Sequence, residues 1–256
     1  KKLAKIETHQ LFTQGLAYEA LGNHLKSIDL YSLVIKRSQK YKSRTSDSGP
    51  IQWVPRAQLR IARIYRNQLD NYPEAVKAYE NFINQYPNES DHQEVMLEFA
   101  RYQKNNNKLK QAASTYRKFL KQYDRSPYLS EVHYDLGIVL KGVGQLEKSI
   151  EQFKIVRERK KRDQLHDDAL HQIALVYEKS GARKAQRNTL ERLAKQYPDS
   201  DYAEPALHKA IELSTKIGDD KKAVELARRY KSRFPNGPHL KDVRKYLEEK
   251  ELEPDG

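Results

Sequence analysis

Lys195–Tyr202 reads KQYPDSDY, and near-copies of it stand at Asn84–Asp91 (NQYPNESD), Lys121–Tyr128 (KQYDRSPY) and Ser232–His239 (SRFPNGPH). Aligned on the proline or its replacement, the phrase falls at Pro87, Asp124, Lys161, Pro198 and Pro235, a constant step of 37 residues. The same step joins Ala100, Gly137, Ala174 and Ile211, and also Ala112, Ser149, Gln186 and Ala223. It joins Tyr79, Tyr116, Phe153, Leu190 and Ala227, and Phe82, Phe119, Val156, Leu193 and Tyr230. Columns that share one period mark an internal repeat.

Within each unit, apolar residues recur at three- and four-residue spacings, the pattern of an amphipathic helix. Short polar breaks near Gly22, Pro73, Asn106, Gly144, Gly181 and Gly218 divide each unit in two. Glycine and asparagine suit the left-handed residue that ends a helix, so each unit reads as helix, tight turn, helix. The recurrent phrase is then the joint between units. Its tyrosine or phenylalanine finishes one helix, its proline stops that helix, and Asp, Asn or Ser is expected to cap the next. In this reading Ser90 and Gln93 form a capping box, and Pro127 takes the first helical position after Ser126.

The pattern resembles the tetratricopeptide repeat, whose unit is a helical hairpin of about 34 residues. The likeness rests on a small residue with an aromatic three further on (Gly15 and Tyr18, Ala62 and Tyr65, Ala174 and Tyr177). It also rests on a small residue four before an aromatic in the second helix (Ala75 and Tyr79, Ala112 and Tyr116, Ser149 and Phe153), and on the terminal proline. Leu190, Ala227, Ile211 and Lys161 depart from it. The fold class expected is all-α, a solenoid of six such hairpins and a capping helix. Residues 1–42 form the first hairpin, 43–55 an inserted loop, 55–238 five further hairpins, and 239–256 the capping helix and an acidic tail. The long joints resemble those of bacterial envelope tetratricopeptide proteins, such as the periplasmic partner of the Tol–Pal system and the lipoprotein arm of the outer-membrane barrel-assembly machine. That resemblance implies a protein-interaction scaffold at the periplasmic face of an envelope, with the cytoplasm as the alternative.

Composition bounds the function from another side. The 256 residues are 32% charged and 38% hydrophobic, with a formal net charge of +13 and a mean hydropathy of -0.94. A thin two-layer array needs less apolar residue per unit length than a single globule. There is no cysteine, which excludes disulfides, thiolate catalysis and cysteine metal sites. No apolar run approaches a membrane span. Residue 1 is a lysine and the only methionine is Met96, so an upstream segment is expected, with room in it for a signal or lipid anchor.

In a hairpin array the first helices line one concave face, and there the second unit reads PRAQLRIARIYR. Arg56, Arg60 and Arg63 share a helical face that Arg66 continues, while Arg101 and Lys104 fill corresponding slots of the third unit. This basic ridge is the candidate partner site, suited to carboxylates or phosphates held by paired hydrogen bonds. The competing reading is a solvated face balanced by Glu94 and Glu98. The insert SRTSDSGPIQWVP (Ser43–Pro55) carries the only tryptophan, Trp53, which either packs back over the first groove or anchors a partner. Tyr134, with His171 and His208 in the equivalent slots of the next units, marks a second, softer groove.

Other motifs lead nowhere catalytic. HDDALH spaces His166 and His171 five apart rather than four, and GVG at Gly142 is a helix break. The run RERKKR (Arg157–Arg162) suits the negative end of a helix. Chaperone-tail binding needs bases where Glu94 and Glu98 stand. No cofactor and no metal are expected. The expected partner is a protein offering an acidic or extended segment, with a second copy of the chain also open. Nucleic acid or an envelope glycan is the alternative partner, drawn by net charge.

Overall fold

The computed structural model describes residues 2–42, 53–158 and 165–252. Most of the insert, positions 159–162 of the basic run with the Lys161 joint, and the acidic tail lie outside the described residues. The described chain is all-α: α1 (Lys2–Ala20), α2 (His24–Lys42), α3 (Trp53–Asn67), α4 (Tyr72–Gln85), α5 (His92–Asn105), α6 (Leu109–Gln122) and α7 (Leu129–Gly142), then α8 (Leu146–Glu158), α9 (Leu165–Lys179), α10 (Arg183–Gln196), α11 (Ala203–Ile217), α12 (Asp220–Arg233) and α13 (Leu240–Leu252). No described helix is long and apolar enough to cross a membrane.

Each tight turn is built around one left-handed residue. Gly22, Gly144, Gly181 and Gly218 supply it at four turns, and Asp70 and Asn107 at the two without glycine. The next residue then reaches back to the helix it leaves: Asn23 N–H donates to Tyr18 O at 2.9 Å, and Asp219 N–H to Ser214 O at 3.0 Å. This closure satisfies a carbonyl that the helix end would otherwise orphan.

The joints form differently from the expected N-cap. Tyr86, Tyr123, Tyr197 and Phe234 are C-caps, each N–H bonded to the carbonyl four residues earlier. Their rings pack back onto the helix they close, Tyr123 on Phe119 at 5.0 Å and Phe234 on Tyr230 at 5.4 Å. The N-caps of α7 and α11 are Tyr128 and Tyr202. Ser126 and Ser200 sit two residues before, where their hydroxyls accept from Tyr128 N–H and Tyr202 N–H. The serine therefore shapes a turn ahead of the helix, and Pro127 lies in that turn rather than at the first helical position. At α5, Val95 N–H bonds Asp91 O, which makes Asp91 the cap, while Ser90 Oγ donates to Asp91 Oδ1.

The chain divides into two compact units, Lys1–Tyr102 and Gln103–Gly256. In the first, α1 packs on α2, α2 on α3 and α3 on α4, and the first helices α1 and α3 also touch. Tyr31, Val34, Ala62, Tyr79, Phe82, Val95 and Met96 are fully or almost fully buried between them. The second unit stacks the same way from α6 to α13, with one cluster around Phe153, Val156 and Ile173 and another around Leu193, Leu207, Leu226 and Tyr230. Small residues are placed where a second helix drives an aromatic into a first helix. A Cβ on Gly137 would stand 2.6 Å from Phe153, and one on Gly15 2.6 Å from Tyr31. Val243 and Leu247 seal the last hairpin, and α13 turns a charged face outward.

Candidate functional site

The α3 arginines stand on the first-helix face of the first unit, and carboxylates meet them there. Arg63 holds Glu98 of α5 bidentately, with Nη2 to Oε2 at 2.7 Å and Nε to Oε1 at 3.1 Å. Arg66 Nη1 bonds the same carboxylate at 2.7 Å, and the Tyr79 hydroxyl donates to it at 2.6 Å. Burial pushes the Glu98 carboxyl up, but the hydrogen bonds from Arg63 and Tyr79 and the two guanidinium charges outweigh it and hold the group below the ordinary range. Arg63 is held above its own ordinary value chiefly by that bond to Glu98. Arg60 Nη1 lies 3.2 Å from Glu19 of α1, whose other oxygen accepts from Tyr31 at 2.8 Å.

Arg56 differs. It is exposed, forms no ion pair among the described residues, and lies over the Trp53 ring at 5.3 Å. Trp53 itself belongs to the first turn of α3, not to the insert as expected. Helix α3 begins two residues before Pro55, which a helix tolerates in its first turn. The indole packs on His9 at 4.9 Å and Phe12 at 5.1 Å, so it does close over the first hairpin. Its Nε1–H is buried with no acceptor among the described residues.

The remaining expected residues are divided between the two units. Arg101 stays in the first unit, half-buried on α5. Lys104 lies in the second unit, where its ammonium meets Asp135 Oδ1 at 2.6 Å, and Tyr116 donates to Asp135 Oδ2 at 3.0 Å. Lys141, one repeat on, bonds Gln172 Oε1 at 2.5 Å. These links join the end of one first helix to the middle of the next. They were not read from the sequence, though Glu98, Asp135 and Gln172 stand in one 37-residue register with the Tyr79, Tyr116, Phe153 column.

The Tyr134, His171, His208 series is likewise a set of inter-repeat contacts. Tyr134 meets Phe153 edge-on at 5.6 Å and packs in the cluster that includes Leu165. His171 stacks on Tyr202 at 4.2 Å, and His208 on His239 at 3.8 Å. Leu165, Tyr202 and His239 themselves recur at 37 residues. The Tyr202 hydroxyl donates to Asp168 and is pushed up to about 12, mainly by that bond. His239 Nδ1 lies 2.9 Å from Glu204 Oε1, to which Tyr230 also donates. Burial, and then the charge of His239, lower the His208 imidazole. No group of metal-ligating side chains is present among the described residues.

Residues 62–220 match the family model described as YfiO, outer membrane lipoprotein, which is more than half of the sequence. This chain belongs to the YfiO family. Among curated proteins none matches it in sequence. Solved structures resemble it in fold. The structure titled MamA protein aligns at a TM-score of 0.55 and 16% identity, covering 74% of this chain and 96% of that one. BtubC from P. vanneervenii aligns at 0.51 and 12%, covering 90% and 93%. The tetratricopeptide-like repeats of a Podosopora anserina putative kinesin light chain align at 0.50 and 16%, covering 77% and 96%. At these identities the likeness establishes the tetratricopeptide fold alone, which generally mediates protein–protein interaction. The YfiO match adds the link to the cell envelope.

Proposed function

We propose that this YfiO-family chain is a non-catalytic scaffold on the periplasmic side of a bacterial envelope. It grips a segment of a partner protein on the first-helix face of its first unit. The observation that carries this reading is the Trp53–Arg56 pair, an exposed cation held over an aromatic ring. A partner carboxylate there would meet a guanidinium already oriented by stacking on the indole. Arg60, Arg63 and Arg66 frame the site while holding Glu19 and Glu98, and Lys104 and Tyr134 belong to the second unit's own packing.

The pairing of these cations also weighs against an anionic polymer as the natural ligand. Polymer binding is driven by counterion release along a continuous cationic track, and here guanidiniums are already neutralised in place. The test is affinity capture from the native organism with wild type, Arg56→Glu and Trp53→Ala. Loss of one dominant protein from both variants, at unchanged helicity, is the expected result. An unchanged set of proteins would overturn the site, and enrichment of nucleic acid or glycan would overturn the scaffold reading.

A further inference from the structure

The first unit also carries a cleft on the side of the second helices. It lies between α2 and α4 with α3 as its floor, and encloses about 270 Å³. On α2 the lining residues Ile28, Ser32, Ile35 and Gln39 are spaced four, three and four apart, and Leu25 extends the same seam by one step of three. On α3, Ile61 and Tyr65 form the floor. The seam from Leu25 to Gln39 runs about 21 Å, enough for roughly four helical turns.

Two positions of this face set the first hairpin apart from the other five. The register is given by Ser27, Ala75, Ala112, Ser149, Gln186 and Ala223, each donating its N–H to the carbonyl four residues back at the start of a second helix. Five residues on, the later hairpins carry long charged side chains: Glu80, Arg117, Lys154, Glu191 and Arg228. The first carries Ser32, which leaves the cleft open. Two residues before the register position they carry Pro73, Lys110, Glu147, Lys184 and Lys221. The first carries Leu25, which is 67% exposed. At these two positions the later hairpins carry charged residues, Pro73 excepted, whereas the first carries an exposed leucine and a small serine. The aliphatic character of Ile28 and Ile35 is shared with Val76, Ile150 and Val224 and with Ile83 and Leu120. Exposed Leu25 and half-buried Ile35, with the buried Ile28 and Ile61 behind them, give the open cleft an apolar lining at helical spacing, the character of a docking surface.

Charge selects the occupant. Lys36 on the α2 wall and Lys77 on the α4 wall line the cleft, and neither forms an ion pair among the described residues. Glu74 stands at the Tyr65 end, where its charge, after burial, raises the Tyr65 hydroxyl. We propose that this cleft is a docking groove for an amphipathic helix of a partner protein. The aliphatic row of that helix lies against Leu25 and Ile35, over the buried Ile28 and Ile61, and its flanking carboxylates meet Lys36 and Lys77. This rests on the scaffold reading above but uses the opposite face of α3, so the two fail separately.

The test places a photo-reactive benzophenone amino acid at position 32 in the native organism and sequences the cross-linked peptide. The expected peptide has aliphatic residues at three- and four-residue spacing with Asp or Glu beside them. A synthetic copy of it should bind the purified chain and lose at least tenfold in affinity with Ser32→Arg, which installs the side chain of the later hairpins at an exposed site. The pair Lys36→Glu with Lys77→Glu should weaken binding similarly, while Arg56→Glu should not. No adduct, an adduct only with a second copy of this chain, a peptide that lacks the aliphatic row or the acids, or full affinity with Ser32→Arg would each overturn the groove. If Arg56→Glu still abolishes partner capture in that event, the first-helix site stands and only the groove falls.

Discussion

Tyr116 donates its hydroxyl to Asp135 at 3.0 Å, joining a second helix to the first helix of the following repeat. Tyr79 and Glu98 make the same link 37 residues earlier, at 2.6 Å. One repeat later the pair is Phe153 and Gln172. The hydroxyl and the negative charge disappear together, and the lysine that would have met an acid, Lys141, meets an amide oxygen instead. A buried carboxylate needs several donors and a buried ammonium needs an acceptor, so these positions change as a set.

That coupling predicts a non-additive mutant pair. Tyr116→Phe should cost about 1 kcal/mol, and Asp135→Asn alone about 1–2 kcal/mol, because Lys104 loses its charged partner. The double variant reproduces the Phe153–Gln172 chemistry and should cost about 1 kcal/mol less than the sum of the two. Asp135→Ala should cost more than either, since it leaves Lys104 and the tyrosine hydroxyl both unmet. Urea unfolding of the four proteins decides it; strict additivity would mean that the three side chains are independent.

The two units should respond differently to acid. In the second, His208 is lowered from 6.5 by burial and by His239, and His171 is lowered by burial against the pull of Asp168. A base whose folded pKa is depressed binds fewer protons in the fold than in the unfolded chain. Its contribution is therefore complete above 6.5 and is lost as pH falls through the folded value. In the first unit Glu98 is depressed from 4.5, so its contribution is complete above 4.5 and is lost only below. Hydrogen exchange, corrected for its intrinsic pH dependence, should show α9–α13 losing protection between pH 6.5 and 5 while α3 and α4 keep theirs. Histidine-to-phenylalanine replacement at His208 should remove part of that difference. Equal loss in both units would refute it.

The repeat, the turns and the helical hairpins were legible because each depends on residues close in sequence. A left-handed turn needs glycine, asparagine or aspartate, and a packed helix shows its spacing within a few turns. The state of the α3 arginines was legible only in part, since a face balanced by Glu98 was one of two competing readings. Arg60, Arg63 and Arg66 look alike on a helical wheel, and whether each faces solvent or a carboxylate depends on Glu19, 41 residues before Arg60, and Glu98, 35 after Arg63. The column through Glu98, Asp135 and Gln172 held part of that information beside its aromatic neighbours. The start of α3 was missed for a local reason: proline ordinarily marks a loop, but it is also at home in a first helical turn, and that is where Pro55 lies.

Glycine at 137 has a packing role that alanine should expose. A Cβ there would meet the fully buried Phe153 ring at 2.6 Å, and Ser149 already bonds the Gly137 carbonyl at 2.7 Å from the same helix. Gly137→Ala gains about 1 kcal/mol of helix propensity and loses about 1–3 kcal/mol to overpacking, for a net destabilisation. Gly144→Ala has open space around it and should cost only the strain of a left-handed alanine, about 1 kcal/mol. Thermal unfolding followed by circular dichroism should rank Gly137→Ala at or below Gly144→Ala; a stabilised Gly137→Ala would mean that α7 and α8 can separate freely.

Trp53 offers a test that needs no partner. It is the only tryptophan, it packs on His9 and Phe12 of α1 from the first turn of α3, and so its fluorescence reports the first unit alone. Each hairpin of a repeat array is stabilised largely by its neighbours, and an indole shared by two hairpins contributes to both. Trp53→Ala removes that ring and should cost about 2–4 kcal/mol, short of the full value for a buried aromatic because the side chain is half-exposed. Trp53→Phe keeps the contact with Phe12 while deleting the N–H, which has no acceptor among the described residues, and should cost less than half as much. The same two variants separate packing from recognition. If the indole serves only to cover α1, Trp53→Phe will bind the partner as wild type does. If the indole holds Arg56 in place for a partner carboxylate, Trp53→Phe will keep most of its stability and lose affinity several-fold, because phenylalanine is the weaker face for a cation.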